Sequence, residues 1–183
     1  MAVLPESGHI VLLTDNAARP SGSLTFVKDR RPVYLSRTRP GARPETTPTN
    51  PHSQLTQNAP TELQERLFAY AGALPGVVVG PSGVSVAGAR AFHLPKSARN
   101  DRDAFMVGRE FAHLHPPHDG SLHLVLPPAE VNEVIENGWA ERHPLAGRFG
   151  MPENIVMVYG PRDEDELHVV EELVSASHAF AGG

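Results

Sequence analysis

Five of the chain's ten histidines fall between His113 and His143. Imidazole exchanges protons near neutral pH and ligates transition metals, so such a cluster marks a place for chemistry. The pattern inside it is specific. Arg109-Glu110-Phe111-Ala112-His113-Leu114-His115 and Ser121-Leu122-His123-Leu124-Val125-Leu126 read as two strands. Pro116-Pro117-His118-Asp119-Gly120 joins them as a turn, which makes a hairpin. Side chains alternate between the faces of a strand. Ala112 and Leu114 then share one face with Leu122, Leu124 and Leu126, while Phe111, His113, His115, Ser121, His123 and Val125 share the other. Placing the leucines in the core gathers three imidazoles on the second face, with His118 and Asp119 at the tip.

Three kinds of chemistry fit that face. It is a solvated polar surface, an acid–base site in which histidines share a substrate's protons, or a metal site. His113-x-His115 with His123 across the hairpin can hold zinc, iron, copper or nickel facially. His113-x-His115 followed by Asp119 also echoes the cupin metal motif, although cupins place a glutamate near that spacing and are all-strand barrels. Arg109 and Glu110 stand at the start of the first strand. Downstream, Gly138-Trp139-Ala140-Glu141-Arg142-His143-Pro144-Leu145 offers an indole, two charges and an imidazole in a row. Trp139 is either a core plug or a platform for a flat ligand, and Arg142 and His143 are either a bare surface loop or part of the site.

The elements that must position these residues follow from punctuation and periodicity. Residues 1–60 are expected to hold an N-terminal strand, His9 to Thr14, with a partner near Leu24 to Val27. A proline-rich strap then runs from Ser36 to Pro60. A core of residues 61–183 begins with a helix from Thr61, where Thr61 and Gln64 form a capping-box pattern. Strands are expected at Val77–Val79, Val84–Leu94, Ala104–His115 and Ser121–Leu126. A helix from Pro127-Pro128 to about Asn137 follows, then a loop, a strand at Ile155–Tyr159, and a last helix from Asp163 with a Leu167, Val170, Val174, Ser177 stripe. This order makes an α+β fold, a mostly antiparallel sheet with a histidine-bearing hairpin and helices packed on one face.

Composition narrows the partners. A hydrophobic fraction of 40% and a charged fraction of 20% suit a globular chain of 183 residues. A net charge of −5 gives no reason to expect nucleic acid or an anionic membrane. With no cysteine, thiolate metal sites, disulfides and cysteine nucleophiles are excluded. The early apolar run Ile10–Leu13 is too short for a signal peptide or membrane span, so the expectation is a cytoplasmic protein without a membrane anchor.

Read together, Arg109-Glu110-x-x-His113-x-His115, His118-Asp119, Ser121-x-His123 and Arg142-His143-Pro144-Leu145-Ala146-Gly147 resemble the fungal luciferase family. Gly138-Trp139, Tyr159, Pro161-Arg162 and Ser177 fit the same pattern, and Arg39-Pro40-Gly41-Ala42-Arg43-Pro44 matches it loosely upstream. What the resemblance implies is an oxygenase that oxidises an enolisable hydroxypyrone, 3-hydroxyhispidin in that family. Molecular oxygen is the co-substrate, no other cofactor is expected, and the metal alternative on His113, His115 and His123 stays open. Oxygen reacts slowly with closed-shell molecules unless they donate an electron readily, and an enolate does. The site therefore needs a base and groups that hold negative charge. The expected catalytic set is His113, His115, His118, Asp119, His123 and His143. Arg109, Glu110, Phe111, Trp139 and Arg142 are the expected substrate contacts, and Asp119 or Glu110 can also orient an imidazole and select its tautomer.

Overall fold

The computed structural model of the protein describes residues 31–96 and 102–183, and one compact unit spans Arg31–Gly183. The expected strands at His9–Thr14 and Leu24–Val27, and most of the loop between Lys96 and Asp103, lie outside the described residues.

The fold is α+β, as the hydrophobic patterning predicts. Six antiparallel strands form one sheet in the order β1-β2-β3-β4-β6-β5. They are β1 (Val78–Pro81), β2 (Arg90–His93), β3 (Glu110–Leu114), β4 (Leu122–Val125), β5 (Ala140–Arg142) and β6 (Ile155–Val158). The helices are α1 (Val33–Ser36), α2 (Thr61–Gly72), α3 (Val131–Glu136) and α4 (Glu164–Phe180). Helix α4 crosses β3 and β4 and packs on α1 and α2. Its buried stripe of Leu167, Val170, Val174 and Ser177 meets Leu114, Leu122, Leu124 and Leu126 in the main core. A smaller cluster of Met106, Val125 and Ile155 forms apart from that core. Alternation along β4 therefore sorts the leucines from Val125 as expected.

Several elements differ from the sequence reading. Strand β2 covers only Arg90–His93, because the Val84 and Ser85 amides fold back onto the Ser82 hydroxyl. Residues 102–109 are a short 3₁₀ turn and a tight loop rather than strand, with the Arg109 guanidinium 4.0 Å over the Phe105 ring. Ala140–Arg142, expected as loop, pairs with β6 as an edge strand. Thr61 caps nothing: the cap position falls on Pro60, and Gln64 instead donates to the Ala59 and Pro117 carbonyls. The Asp163 cap does form, accepting from the Glu166 amide at 2.9 Å.

The difference that matters most for the site is a β-bulge. Phe92 pairs with Ala112, yet His93 pairs with Glu110, so Phe111 is an extra residue on β3. The extra residue resets the alternation. Phe111 turns into the core, its ring against Phe92 and His178, and Glu110 takes the histidine side in its place. Phe111 is thus fully buried on the core side of β3 and does not line the histidine face, which corrects the placement that plain alternation gives it.

Residues 31–60 pack on this frame along most of their length. Tyr34, Arg39, His52, Gln54 and Ala59 are all buried. Residues 45–55 fold into a small antiparallel loop, with Leu55 N–H to the Glu45 carbonyl and Thr47 N–H to the Ser53 carbonyl. The Gln54 side chain fastens that loop, donating to the Thr56 and Gln57 carbonyls and accepting from Gly160 N–H. Two glycines allow the close approach. A Cβ on Gly120 would lie 2.6 Å from the Gln64 amide, and one on Gly160 would lie 2.6 Å from the Gly120 carbonyl oxygen.

Candidate active site

The bulge, the hairpin and the strap converge on one cavity of about 460 Å³. Its polar wall is His52, His113, His115, His123 and His143, and its apolar wall includes Val86, Leu145, Met151 and Ile155. All five imidazoles are buried. His113 and His123 are cross-strand partners, which brings their rings to a centroid distance of 5.0 Å. His115 comes from the end of the same strand face, and His143 follows edge strand β5. His52 arrives from the strap, stacked on His123 at 5.2 Å.

Each histidine has an oriented partner. His113 Nδ1 is 2.7 Å from Glu110 Oε1, and that carboxylate is held in turn by Ser82 Oγ at 2.7 Å and Gly83 N–H at 2.8 Å. His115 Nδ1 is 2.8 Å from Asp119 Oδ2, which also receives the Gln54 amide; Ser121 N–H and Oγ bond the other oxygen. His52 Nε2 is 2.6 Å from Glu141 Oε1, whose second oxygen accepts from Tyr159 at 2.9 Å. Carboxylates accept only, so Nδ1 of His113, Nδ1 of His115 and Nε2 of His52 carry the hydrogens. His143 is set the other way. Its Nδ1 accepts from Leu145 N–H at 3.0 Å, so in the neutral ring the hydrogen sits on Nε2.

Charge follows burial. Desolvation raises the cost of ionising Glu110, Asp119 and Glu141, but the hydrogen bonds just described outweigh it and hold all three below their ordinary values. Burial, with the neighbouring imidazoles adding to it, pushes His123 far down and His143 to about 4. Burial also lowers His113, against the pull of Glu110. Around neutral pH the wall therefore holds unprotonated imidazole at His113, His123 and His143.

The expected site residues divide clearly. His113, His115, His123 and His143 line the cavity, with Glu110 and Asp119 directly behind them. His118 is exposed at the hairpin tip and is not part of the lining. Trp139 is a core plug whose indole N–H donates to the Arg37 carbonyl at 2.6 Å. Arg142 points away from the histidines and bonds the Glu153 carbonyl and Asn132 along a different cleft. Arg109 lines an adjoining depression with Phe105 and Met106. Two participants escaped the sequence reading. His52 lies in a segment without periodicity, and the one clue to it was that the strap was expected to pack. Phe149, 91% exposed on the cavity rim, stood in what read as an ordinary loop.

Much of this geometry falls in the part of the chain that is similar to known proteins. Residues 108–177 match the luciferase domain family. A luciferase of Armillaria gallica is 42% identical over 88 residues, covering 47% of this chain and 33% of the relative. A luciferase of Neonothopanus nambi is 46% identical over 74 residues, or 39% of this chain and 28% of the relative. The matched stretch thus spans about a third of the length of these curated relatives. No solved structure matches. The resemblance to fungal luciferases therefore holds over the histidine hairpin, β5, β6 and most of α4. The stretch that matches the luciferase domain family supplies four of the five cavity histidines, while His52 comes from outside it. Among the described residues no helix is long and apolar enough to cross a membrane.

Proposed function

We propose that the protein is a luciferase-like oxygenase that oxidises an enolisable hydroxypyrone, similar to 3-hydroxyhispidin, with molecular oxygen. The observation that carries this reading is the two-sided cavity, with five oriented imidazoles on one wall and aliphatic side chains on the other. Its volume falls within the roughly 300–1,000 Å³ of small-molecule sites. A flat, partly polar substrate matches such walls. The histidine wall removes the enol proton, and the carboxylates behind it stabilise the imidazolium that results. The His143 Nε2–H is a neutral donor for the oxyanion, an arrangement that costs no reorganisation as charge develops. The enolate then supplies the electrons that reduce oxygen, so no outside reductant is consumed. Oxygen adds to the enolate carbon, the peroxide closes on the lactone carbonyl, and carbon dioxide leaves.

Mixing the protein with 3-hydroxyhispidin in air, while recording oxygen uptake and light, tests the proposal. Oxygen uptake supports it, with or without emission, and folded protein silent in both channels rejects it for this substrate class. Phe149 gives a finer prediction. Stacking a flat ligand on an aromatic ring is worth about 0.5–1.5 kcal/mol. Phe149→Ala should therefore raise KM by roughly 2- to 12-fold with kcat little changed, and a side chain this exposed should leave the thermal midpoint where it was.

A further inference from the structure

The polarity of the hydrogen bonds around His123 goes beyond acid–base chemistry. His52 Nε2–H is committed to Glu141, so its Nδ1 is a lone pair, and it faces His123 Nε2 at 3.1 Å. A satisfied contact there needs the hydrogen on His123 Nε2. The chain His123–His52–Glu141 then runs in one direction, and His123 Nδ1 is left as a lone pair. That atom is 3.1 Å from His113 Nε2 and 3.2 Å from His115 Nε2. Both of those are lone pairs too, because the Nδ1 hydrogens of their rings go to Glu110 and Asp119. Three carboxylate-terminated chains thus aim three unprotonated nitrogens at one point beside the cavity. Three mutually facing lone pairs repel unless something positive stands between them.

We propose that His113 Nε2, His115 Nε2 and His123 Nδ1 form a facial three-histidine site for a divalent first-row transition-metal ion. Imidazoles at about 2.0–2.1 Å from a common ion stand about 2.8–3.4 Å apart at angles between right and tetrahedral, and the two nitrogen–nitrogen separations of 3.1 and 3.2 Å fall in that range. The three donor atoms all lie within 4.8 Å of one another, and all three residues are buried. Each ligand has its other ring nitrogen held by a carboxylate, directly for His113 and His115 and through His52 for His123, which fixes tautomer and orientation. An all-imidazole set favours zinc, iron, copper or nickel over magnesium or calcium. His143 lines the same cavity as the three ligands. His143 is not a ligand through Nδ1, since that atom accepts from Leu145 N–H. An ion at this point supplies a Lewis acid for an enol oxygen. The inference rests on the oxygenase reading and deepens it: with their lone pairs on an ion, His113, His115 and His123 would acidify the enol through that Lewis acid in place of taking its proton directly.

Tag-free protein, stripped with a chelator and dialysed, is titrated with Co²⁺ by visible absorption and with Zn²⁺ by calorimetry. One equivalent per chain is expected, and X-ray absorption of the loaded wild type should show three imidazole ligands. His113→Ala and His115→Ala should abolish saturable binding, and Glu110→Gln should weaken it by about 10–100-fold. Circular dichroism checks the fold of each variant. Absence of saturable binding by the wild type overturns the proposal. So does binding that survives the His113→Ala/His115→Ala double change, or an X-ray absorption spectrum with fewer than three imidazoles. Metal binding without oxygen uptake would sink the oxygenase reading alone, and oxygen uptake by metal-free protein would sink the need for an ion in that reaction.

Discussion

Alanine at His123 is expected to reduce oxygen consumption by about 10²–10⁴-fold, the range lost with a positioned proton-transfer group, and to leave the chain folded. His123 is the hub of the wall. Its ring lies within hydrogen-bond distance of His52, His113 and His115, and it meets His143 edge-on at 4.5 Å. Its removal breaks the relay to Glu141 and strips the third nitrogen from the converging set, so every role proposed for the site fails together. Stability should respond far less. The ring packs mainly against other imidazoles and the cavity, and the space it vacates opens to water that can satisfy the exposed nitrogens. A cost near 1 kcal/mol is expected, at the centre of the range for single substitutions. Oxygen-uptake kinetics and a denaturant midpoint on the same preparation check both halves. Loss of the cooperative unfolding transition would make His123 a structural element of the sheet; unchanged turnover would remove it from the chemistry.

Much of this arrangement was legible because strand alternation has a short period. Leucines at 122, 124 and 126 place His123 opposite them by local geometry alone, and a five-residue turn rich in Pro, Asp and Gly joins the two strands. The bulge was not legible in the same way. Nothing in Arg109–His115 marks Phe111 as the extra residue, because the register shift is a property of the pairing with β2. Glu110 is expected both as a substrate contact and as a group that orients an imidazole, and its place behind His113 fits the second. Trp139 and Arg142 were assigned by residue type and nearness in sequence. On a three-residue edge strand, however, neighbours diverge: Trp139 enters the core and Arg142 lies along an outer cleft. His52 shows the remaining limit. No periodic pattern places it, and its position depends on contacts more than sixty residues away, to His123 and Glu141. What delivers it is the strap, and the strap is held by the buried Arg39–Glu166 pair and the Gln54 hydrogen bonds rather than by a periodic apolar pattern.

That dependence gives Arg39 a larger expected cost to the fold than His123. Its side chain is 3% exposed and pairs with Glu166, 2% exposed, at 3.0 Å. The same guanidinium nitrogen reaches the Gly160 carbonyl at 3.3 Å, and the group lies over the Tyr159 ring. The Arg39 backbone amide donates to the Asn137 carbonyl, so one residue joins the strap to α4, to the end of β6 and to the loop before β5. Removing one member of a buried pair typically costs about 3–5 kcal/mol, because the other charge is left desolvated. Glu166 keeps Arg162, which donates to it through both backbone and side chain, and this puts the expected loss for Arg39→Ala at the low end. Some 3 kcal/mol corresponds to a fall of roughly 6–12 °C in Tm for a chain of this length. The loosened strap should also carry His52 away from His123, so turnover falls even though Arg39 touches no substrate. Hydrogen exchange over residues 44–57 separates the two effects: faster exchange there, with β3 and β4 still protected, is the expected pattern. Arg39→Lys should recover part of the stability by restoring a charge, though without the planar guanidinium over Tyr159. A change below about 1 kcal/mol for Arg39→Ala, the worth of a surface pair, would mean that the Gln54 contacts and apolar packing hold the strap unaided.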